Sequence, residues 1–306
     1  MNKTRETKAV IEEHLIGRGF GRDRCIIALG GGVVTDLVGF LAATYCRGVP
    51  VIYYATNLLA ATDASIGGKT AVDTPHVTNY IGVIRQPSKL YIDISCWQTL
   101  PVKQLRLGLS ETIKHACISD SQFFAHLEDN LHKVVDPKGN VVLERTVCEH
   151  IAYENCRIKR DVVVQEEKEG NLRQVLNLGH TVGRALEPLT NYRLSHGEAV
   201  SIGLSCESII AHAVGLLSQE EVGRVEVLLG RAGLPTRIPN EITTDELIGK
   251  MHTDKKSSAG QIRMVLLQSI GETYCGEDGK YSRPFEDHEL RRLISKVRLT
   301  QQYAQG

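Results

Sequence analysis

The sequence has no net charge, no long apolar run, no Cys-x-x-Cys pair and no internal repeat, and each lack removes a class of function. Lys+Arg and Asp+Glu both total 36, so no overall field draws the chain to nucleic acid or to an anionic membrane. No apolar run approaches the roughly 20 residues needed to span a bilayer. The opening stretch Met1 to Lys8 has no apolar core and does not read as a secretory signal. The eight cysteines are Cys25, Cys46, Cys96, Cys117, Cys148, Cys156, Cys206 and Cys275. Mostly in apolar surroundings, they read as reduced, buried thiols of a cytoplasmic protein, not as a disulfide framework or a zinc ribbon. With 42% apolar and 24% charged residues over 306 positions, the chain has the profile of a soluble globular protein of one large domain or two ordinary ones.

Periodicity orders the rest. Thr4 to Gly19 predicts a helix capped by Thr4, with Val10, Ile11 and Leu15 as a narrow apolar stripe. Cys25 to Leu29 predicts a buried strand that runs into Gly30-Gly31-Gly32. A helix from Asp36 to Tyr45, packed through Leu37, Phe40 and Leu41, follows. Strand, glycine turn and helix together can cradle the pyrophosphate of a dinucleotide. Three consecutive glycines are not Gly-x-Gly-x-x-Gly, however, and a tight structural turn explains them equally well. Val49 to Ala55 and Leu90 to Ile94 predict further strands. Gly67-Gly68-Lys69-Thr70 fails as a triphosphate loop, because Asp63 stands where the first glycine belongs. Lys69 reads instead as a loop lysine able to reach an anion, and Asn79 to Ile84 as a turn-prone segment.

Helical patterns dominate from Pro101: 107–118, 121–134, 141–160, 172–189, 197–216, 219–232 and 244–252. A late hairpin at 262–270 and 273–274, a last helix at 287–297 and a frayed tail from Gln301 complete the pattern. The change of texture near Ser95 to Pro101 divides the chain into an α/β domain, 1–97, and a mainly helical domain, 98–306.

His180 and His196 fall near the starts of two helical patterns. Neutral imidazole is a common zinc ligand, and a carboxylate from another helix would complete an open catalytic site. Glu111 is the candidate; the competing reading is two ordinary hydrogen-bonded histidines. Glu111 and Lys114, three apart, share a helix face, either as a surface ion pair or as metal ligand and substrate contact. Arg173, Asn177 and His180 read as one stripe of a helix, and Lys159 adds another cation. Such a pocket suits an anionic, phosphorylated, hydroxylated substrate.

The chain carries Gly30-Gly-Gly-Val-Val-Thr-Asp-Leu, Ala42-Ala-Thr-Tyr-Cys-Arg-Gly, Asp63-Ala-Ser-Ile-Gly-Gly-Lys-Thr-Ala-Val-Asp-Thr-Pro, Leu109-Ser-Glu-Thr-Ile-Lys, Glu169-Gly-Asn-Leu-Arg-Gln-Val-Leu-Asn-Leu-Gly-His-Thr, Ser195-His-Gly-Glu-Ala-Val and Asp254-Lys-Lys. In that order and as a set, these segments resemble the 3-dehydroquinate synthases of the sugar-phosphate cyclase superfamily. The wording is most similar to the synthase domain of fungal pentafunctional shikimate-pathway proteins.

The resemblance implies a dinucleotide-binding α/β domain followed by a mainly α-helical metal-binding domain, in a cytoplasmic homodimer. It implies Glu111, His180 and His196 as ligands of Zn2+, with Co2+ as an alternative occupant. Asp63, Lys69, Asn79, Lys114, Lys159, Arg173, Asn177 and Lys255 match substrate positions, and Arg47 matches a position used across the dimer. Gly30, Gly31, Gly32, Asp36 and Thr99 match nicotinamide-cofactor positions, with Thr56-Asn57 standing near the cofactor. The implied activity is that of a carbon–oxygen lyase of aromatic amino acid biosynthesis. It converts 3-deoxy-arabino-heptulosonate 7-phosphate to 3-dehydroquinate with NAD and zinc, through oxidation, phosphate elimination, reduction, ring opening and aldol closure.

Three departures bear on that implication. The resemblance implies an earlier strand–helix portion carrying acidic adenosine-binding positions, so the chain reads as truncated there, with strand 25–29 left as an exposed edge. Arg184 stands where the family has a second histidine; it stays charged and cannot act as a base, but it could clamp phosphate or repel zinc. Thr56-Asn57 replaces a paired threonine, Thr78 replaces a lysine, and Thr35 resembles other sugar-phosphate cyclases. The alternatives are therefore a cyclase for another sugar phosphate or a non-catalytic paralogue that keeps the fold.

Overall fold

Thr4 does what its side chain is suited to do: its hydroxyl accepts the Thr7 amide at 3.2 Å and starts α1 (Arg5–Gly17). The computed structural model describes residues 2–75, 77–168, 170–253 and 261–303. After α1 come β1 (Ile26–Gly30), α2 (Gly32–Thr44), β2 (Val51–Ala55), β3 (Lys69–Val72), β4 (Ile81–Ile84) and β5 (Lys89–Ile92). Then follow α3 (Val102–Ser119), α4 (Ser121–Asn130), α5 (Arg145–Gln165), α6 (His180–Leu189), α7 (His196–Ala213), α8 (Gln219–Arg231) and α9 (Thr244–Met251). The chain closes with β6 (Ile262–Met264), β7 (Leu267–Ser269), β8 (Glu272–Thr273), β9 (Arg283–Phe285) and α10 (Asp287–Tyr303). Two compact units emerge: Met1–Gly108 with Leu143–Lys168, and Leu109–Val142 with Glu169–Gly306. The chain crosses from the first to the second inside α3 and returns to the first for α5.

In the first unit, β1, β2 and β5 form a parallel sheet with β2 central, pairing Ala28 with Tyr53 and Tyr53 with Leu90. Helix α2 makes the crossover from β1 to β2, as parallel strands require. Ala28, Ala42, Tyr45, Val49, Val51 and Tyr53 are the core beneath it. Strand β1 stands at the edge of the sheet, where it was expected, but it is not the buried strand its apolar run suggests: Ile27 and Leu29 are each 64% exposed, and only Ala28 is buried. An apolar run does not tell a strand covered on two faces from one covered on a single face. The α1 stripe is only partly covered: Leu15 packs against this core and Ile11 is half-buried, but Val10 is exposed and no residue of that helix is fully buried. Helix α2 begins at the glycines rather than at Asp36. Lys69 is the exposed first residue of β3, not a loop residue, and the turn-prone segment contains β4, which pairs antiparallel with β3.

The second unit is mainly helical. α6 and α7 touch backbone to backbone at glycines: a Cβ on Gly203 would run into the Gly179 carbonyl, and one on Gly183 would lie 2.9 Å from the Ala199 carbonyl oxygen. α10 packs on α7 and α9. The single late hairpin resolves into two ladders, β6 with β9 and β7 with β8. Gln301 is not frayed: buried in α10, it donates to the Thr236 carbonyl at 2.8 Å and accepts the Ile238 amide at 3.2 Å. The cysteines are all free, but only Cys117, Cys148 and Cys206 are buried, while Cys25 and Cys275 are exposed. No described helix is long and apolar enough to cross a membrane.

Candidate metal centre

Three side chains far apart in sequence meet in the second unit. Helix α3 delivers Glu111, α6 begins with His180, and α7 begins with His196. Glu111 Oε1 lies 3.6 Å from His180 Nε2 and 3.3 Å from His196 Nε2. The imidazole rings stand edge to face with centroids 5.3 Å apart. Their other nitrogens are tethered: His180 Nδ1 lies 3.1 Å from the Leu178 carbonyl and His196 Nδ1 lies 3.2 Å from Glu187 Oε1. Each tether directs Nε2 inward, as outer partners of metal-binding histidines do.

The local sequence explains the placement. Gly179, at φ 77°, adopts a left-handed turn that starts α6 directly at His180. Ser195 and Glu198 form a capping box that starts α7 at His196, with the Ser195 amide donating to Glu198 at 2.9 Å. Glu198 is thereby engaged at its own helix end.

The donor set fits a divalent cation. Glu111 is fully buried, and neither carboxylate oxygen is met by a hydrogen bond of good geometry among the described residues. Donors about 2.0–2.1 Å from a tetrahedral ion stand roughly 3.3–3.4 Å apart, close to the separations observed. Burial opposes the charge of Glu111, yet Lys114 and the two histidines hold its carboxyl well below the usual carboxylate range. Burial drives His180 toward its neutral, ligating form, with Lys114 and Arg184 acting in the same sense against Glu111. For His196 burial also opposes the charge, but the nearby carboxylates of Glu111 and Glu187 outweigh it and push the ring up.

The cationic groups expected beside the metal divide between the units. Lys114 is buried and ion-paired with Glu111, so the pair is not the surface bridge that spacing also allowed. Arg173 and Asn177 are buried in the second unit, but they do not share a helix with His180. They lie on a 3-10 segment, Leu172–Asn177, and the positive φ of Gly179 separates it from α6. Helical periodicity does not register a break that one glycine makes. Lys255 lies outside the described residues.

The first unit holds the others. Lys159 on α5 donates to Asp63 Oδ1 at 2.6 Å and to the Asp63 carbonyl. Gly30, Gly31, Thr56 and Asn57 come together: the Thr56 amide donates to the Gly30 carbonyl at 3.0 Å, and a Cβ on Gly31 would collide with the Asn57 amide. Asn57 Oδ1 in turn accepts the Ala60 amide at 2.8 Å. Among the described residues no side chain caps α2 where it leaves Gly31. This is a turn with a helix N-terminus behind it, the form that fits a dinucleotide phosphate. Thr99 ends a 3-10 segment, its hydroxyl bonded to the Cys96 carbonyl at 3.2 Å. Arg47 and Asn79 both adopt positive φ, 63° and 55°.

Sequence reading missed three supports. Lys3 is buried with its ammonium 2.9 Å from Asp36, 3.5 Å from Asp73 and bonded to Asn79. Glu187 holds His196, and Glu207 meets the start of α6. Only Glu187 left a signal, as a carboxylate two turns along the helix that His180 begins.

Comparison with known proteins places the chain. The family described as 3-dehydroquinate synthase N-terminal matches residues 1–107, and 3-dehydroquinate synthase C-terminal matches residues 108–257. The 3-dehydroquinate synthase of Pelotomaculum thermopropionicum is 42% identical over 271 residues, covering 88% of this chain and 71% of that protein. The pentafunctional AROM polypeptide of Candida tropicalis is 40% identical over 289 residues, covering 89% of this chain and 19% of that protein. Among solved structures, the 2-epi-5-epi-valiolone synthase of Streptomyces hygroscopicus subsp. jinggangensis, with NAD+ and Zn2+ bound, superposes with a TM-score of 0.86 at 27% identity. That match covers 96% of this chain and 79% of the other.

Proposed function

The chain belongs to the 3-dehydroquinate synthase family, and from that premise we propose that it converts 3-deoxy-arabino-heptulosonate 7-phosphate to 3-dehydroquinate and phosphate. The observation that carries the reading is the approach of both histidine Nε2 atoms to one buried carboxylate oxygen, at 3.3 and 3.6 Å. Glu111, His180 and His196 would hold Zn2+ or Co2+, and Gly30, Gly31, Gly32, Asp36, Thr56, Asn57 and Thr99 would hold NAD. When bound, the metal supplies Lewis acidity at a substrate hydroxyl, and the nicotinamide takes up and returns a hydride.

The protein's own groups do the rest. Lys114 and Arg173, both buried cations, offset the negative charge of the substrate, and the Asn177 amide orients its hydroxyls. Lys159, paired with Asp63, would with Lys69, Asn79 and Lys255 complete the proposed contacts to substrate. A substrate phosphate oxygen can take the proton lost during elimination, so no strong protein base is required. A cytoplasmic homodimer engaging Arg47 belongs to the same reading.

The test is phosphate release from the heptulosonate phosphate with NAD and Zn2+. Release that a chelator stops, and that His180→Ala abolishes, supports the assignment. Release by another ketose phosphate alone would move the chain to a different cyclase activity, a reading that the likeness to a valiolone synthase makes worth trying. No release from any of them, with the metal bound, would leave a non-catalytic paralogue.

A further inference from the structure

Helix α6 begins without a cap of its own. Its N-cap residue is Gly179, which has no side chain to offer. Two of its terminal amides are nevertheless satisfied, and by one residue: Gly179 N–H donates to Glu207 Oε2 at 2.6 Å, and Val182 N–H donates to Glu207 Oε1 at 3.3 Å. Glu207 is fully buried on α7, about three turns after His196 and therefore on the same face of that helix. The helix that supplies one histidine thus caps the helix that supplies the other. A buried carboxylate is costly unless strongly hydrogen-bonded, and the positive end of a helix is among the few places that hold one well.

The capped turn contains His180. Its backbone lies between the two amides that Glu207 holds, and its Nδ1 meets the Leu178 carbonyl on the far side of the glycine. The glycine contact between Gly203 and the Gly179 carbonyl brings α7 close enough for the carboxylate to reach. We propose that Glu207 is a positioning residue of the metal centre: by capping α6 from α7 it fixes the His180 imidazole relative to Glu111 and His196. This rests on the metal-binding reading of those three side chains.

The test measures Zn2+ affinity by chelator competition, and the visible spectrum of bound Co2+, on the full-length protein. The variants are Glu207→Ala, which removes both acceptors, Glu207→Gln, which keeps one oxygen, and Ile209→Ala, a control buried on the same helix. Outer partners of metal ligands are worth about 10- to 100-fold in affinity. Glu207→Ala is expected to lose affinity in that range and to shift the Co2+ bands. Glu207→Gln should fall between it and the native protein, and Ile209→Ala should lose thermal stability while keeping metal affinity. Native affinity and spectrum in both Glu207 variants would overturn the proposal, as would an equal loss of affinity in Ile209→Ala. Should Glu207→Ala fail to fold, Glu207→Gln decides on the same criteria. If the native protein binds neither metal, the metal reading itself fails. If it binds and the Glu207 variants bind alike, only the positioning role is lost.

Discussion

Asp36 lies in surroundings that oppose its ordinary ionisation. Burial pushes its carboxyl up to about 6, although the Lys3 ammonium 2.9 Å away pulls the other way. The folded chain then holds this proton more firmly than the unfolded chain between about pH 4 and pH 6. Its contribution to stability therefore falls as pH rises through that window. Asp36→Asn is expected to raise the Tm at pH 7 to 8, with the gain fading as pH drops toward 4; an equal Tm difference at both ends would contradict this. Arg184 poses the opposite case near His180, where it adds to the forces holding the imidazole neutral but sets a permanent charge beside a cation site. Arg184→His is expected to raise both Zn2+ affinity and the rate of phosphate release. Absence of any gain would show that the guanidinium has been accommodated.

At the level of elements, the contact of α6 with α7 decides whether the histidines meet. Gly203→Ala forces a methyl group into the Gly179 carbonyl, and backbone has little room to yield. The variant is expected to lose about 3 kcal/mol in denaturant unfolding and its Zn2+ binding with it. Wild-type affinity would mean that the helices can part without disturbing the ligands. The same pair shows what the sequence made legible. The start of α7 was legible to within a residue, and the helical patterns of α8 and α9 agree with their observed spans to within a residue or so. The break at Gly179 was not legible, because a left-handed residue leaves the apolar rhythm of its neighbours intact. Glu207 was hidden for a different reason: a cap supplied from another helix has no fixed spacing to search for. The edge position of β1 was expected, but its open face was not, since burial depends on what covers a strand and not on its own composition.

For the whole molecule, the consequence of a metal centre is linkage. A cation that binds the folded chain and not the unfolded one adds about 2.7 kcal/mol at a hundred times its dissociation constant. Zn2+ is accordingly expected to raise the Tm in proportion to the logarithm of its concentration, and His180→Ala to abolish the rise. A Tm indifferent to Zn2+ in the native protein would remove the centre from consideration. The uneven setting of the thiols has a practical consequence of its own. Cys25 in the first unit and Cys275 in the second are exposed, whereas burial pushes Cys148 up to about 12 and takes Cys117 and Cys206 beyond the reach of ordinary alkylation. A chromogenic thiol reagent should therefore consume the two outer sulfurs quickly and the innermost three only as the chain opens, which makes the rate of colour development a built-in gauge of the intact fraction. The same two sulfurs offer one dye attachment point on each unit without adding a residue.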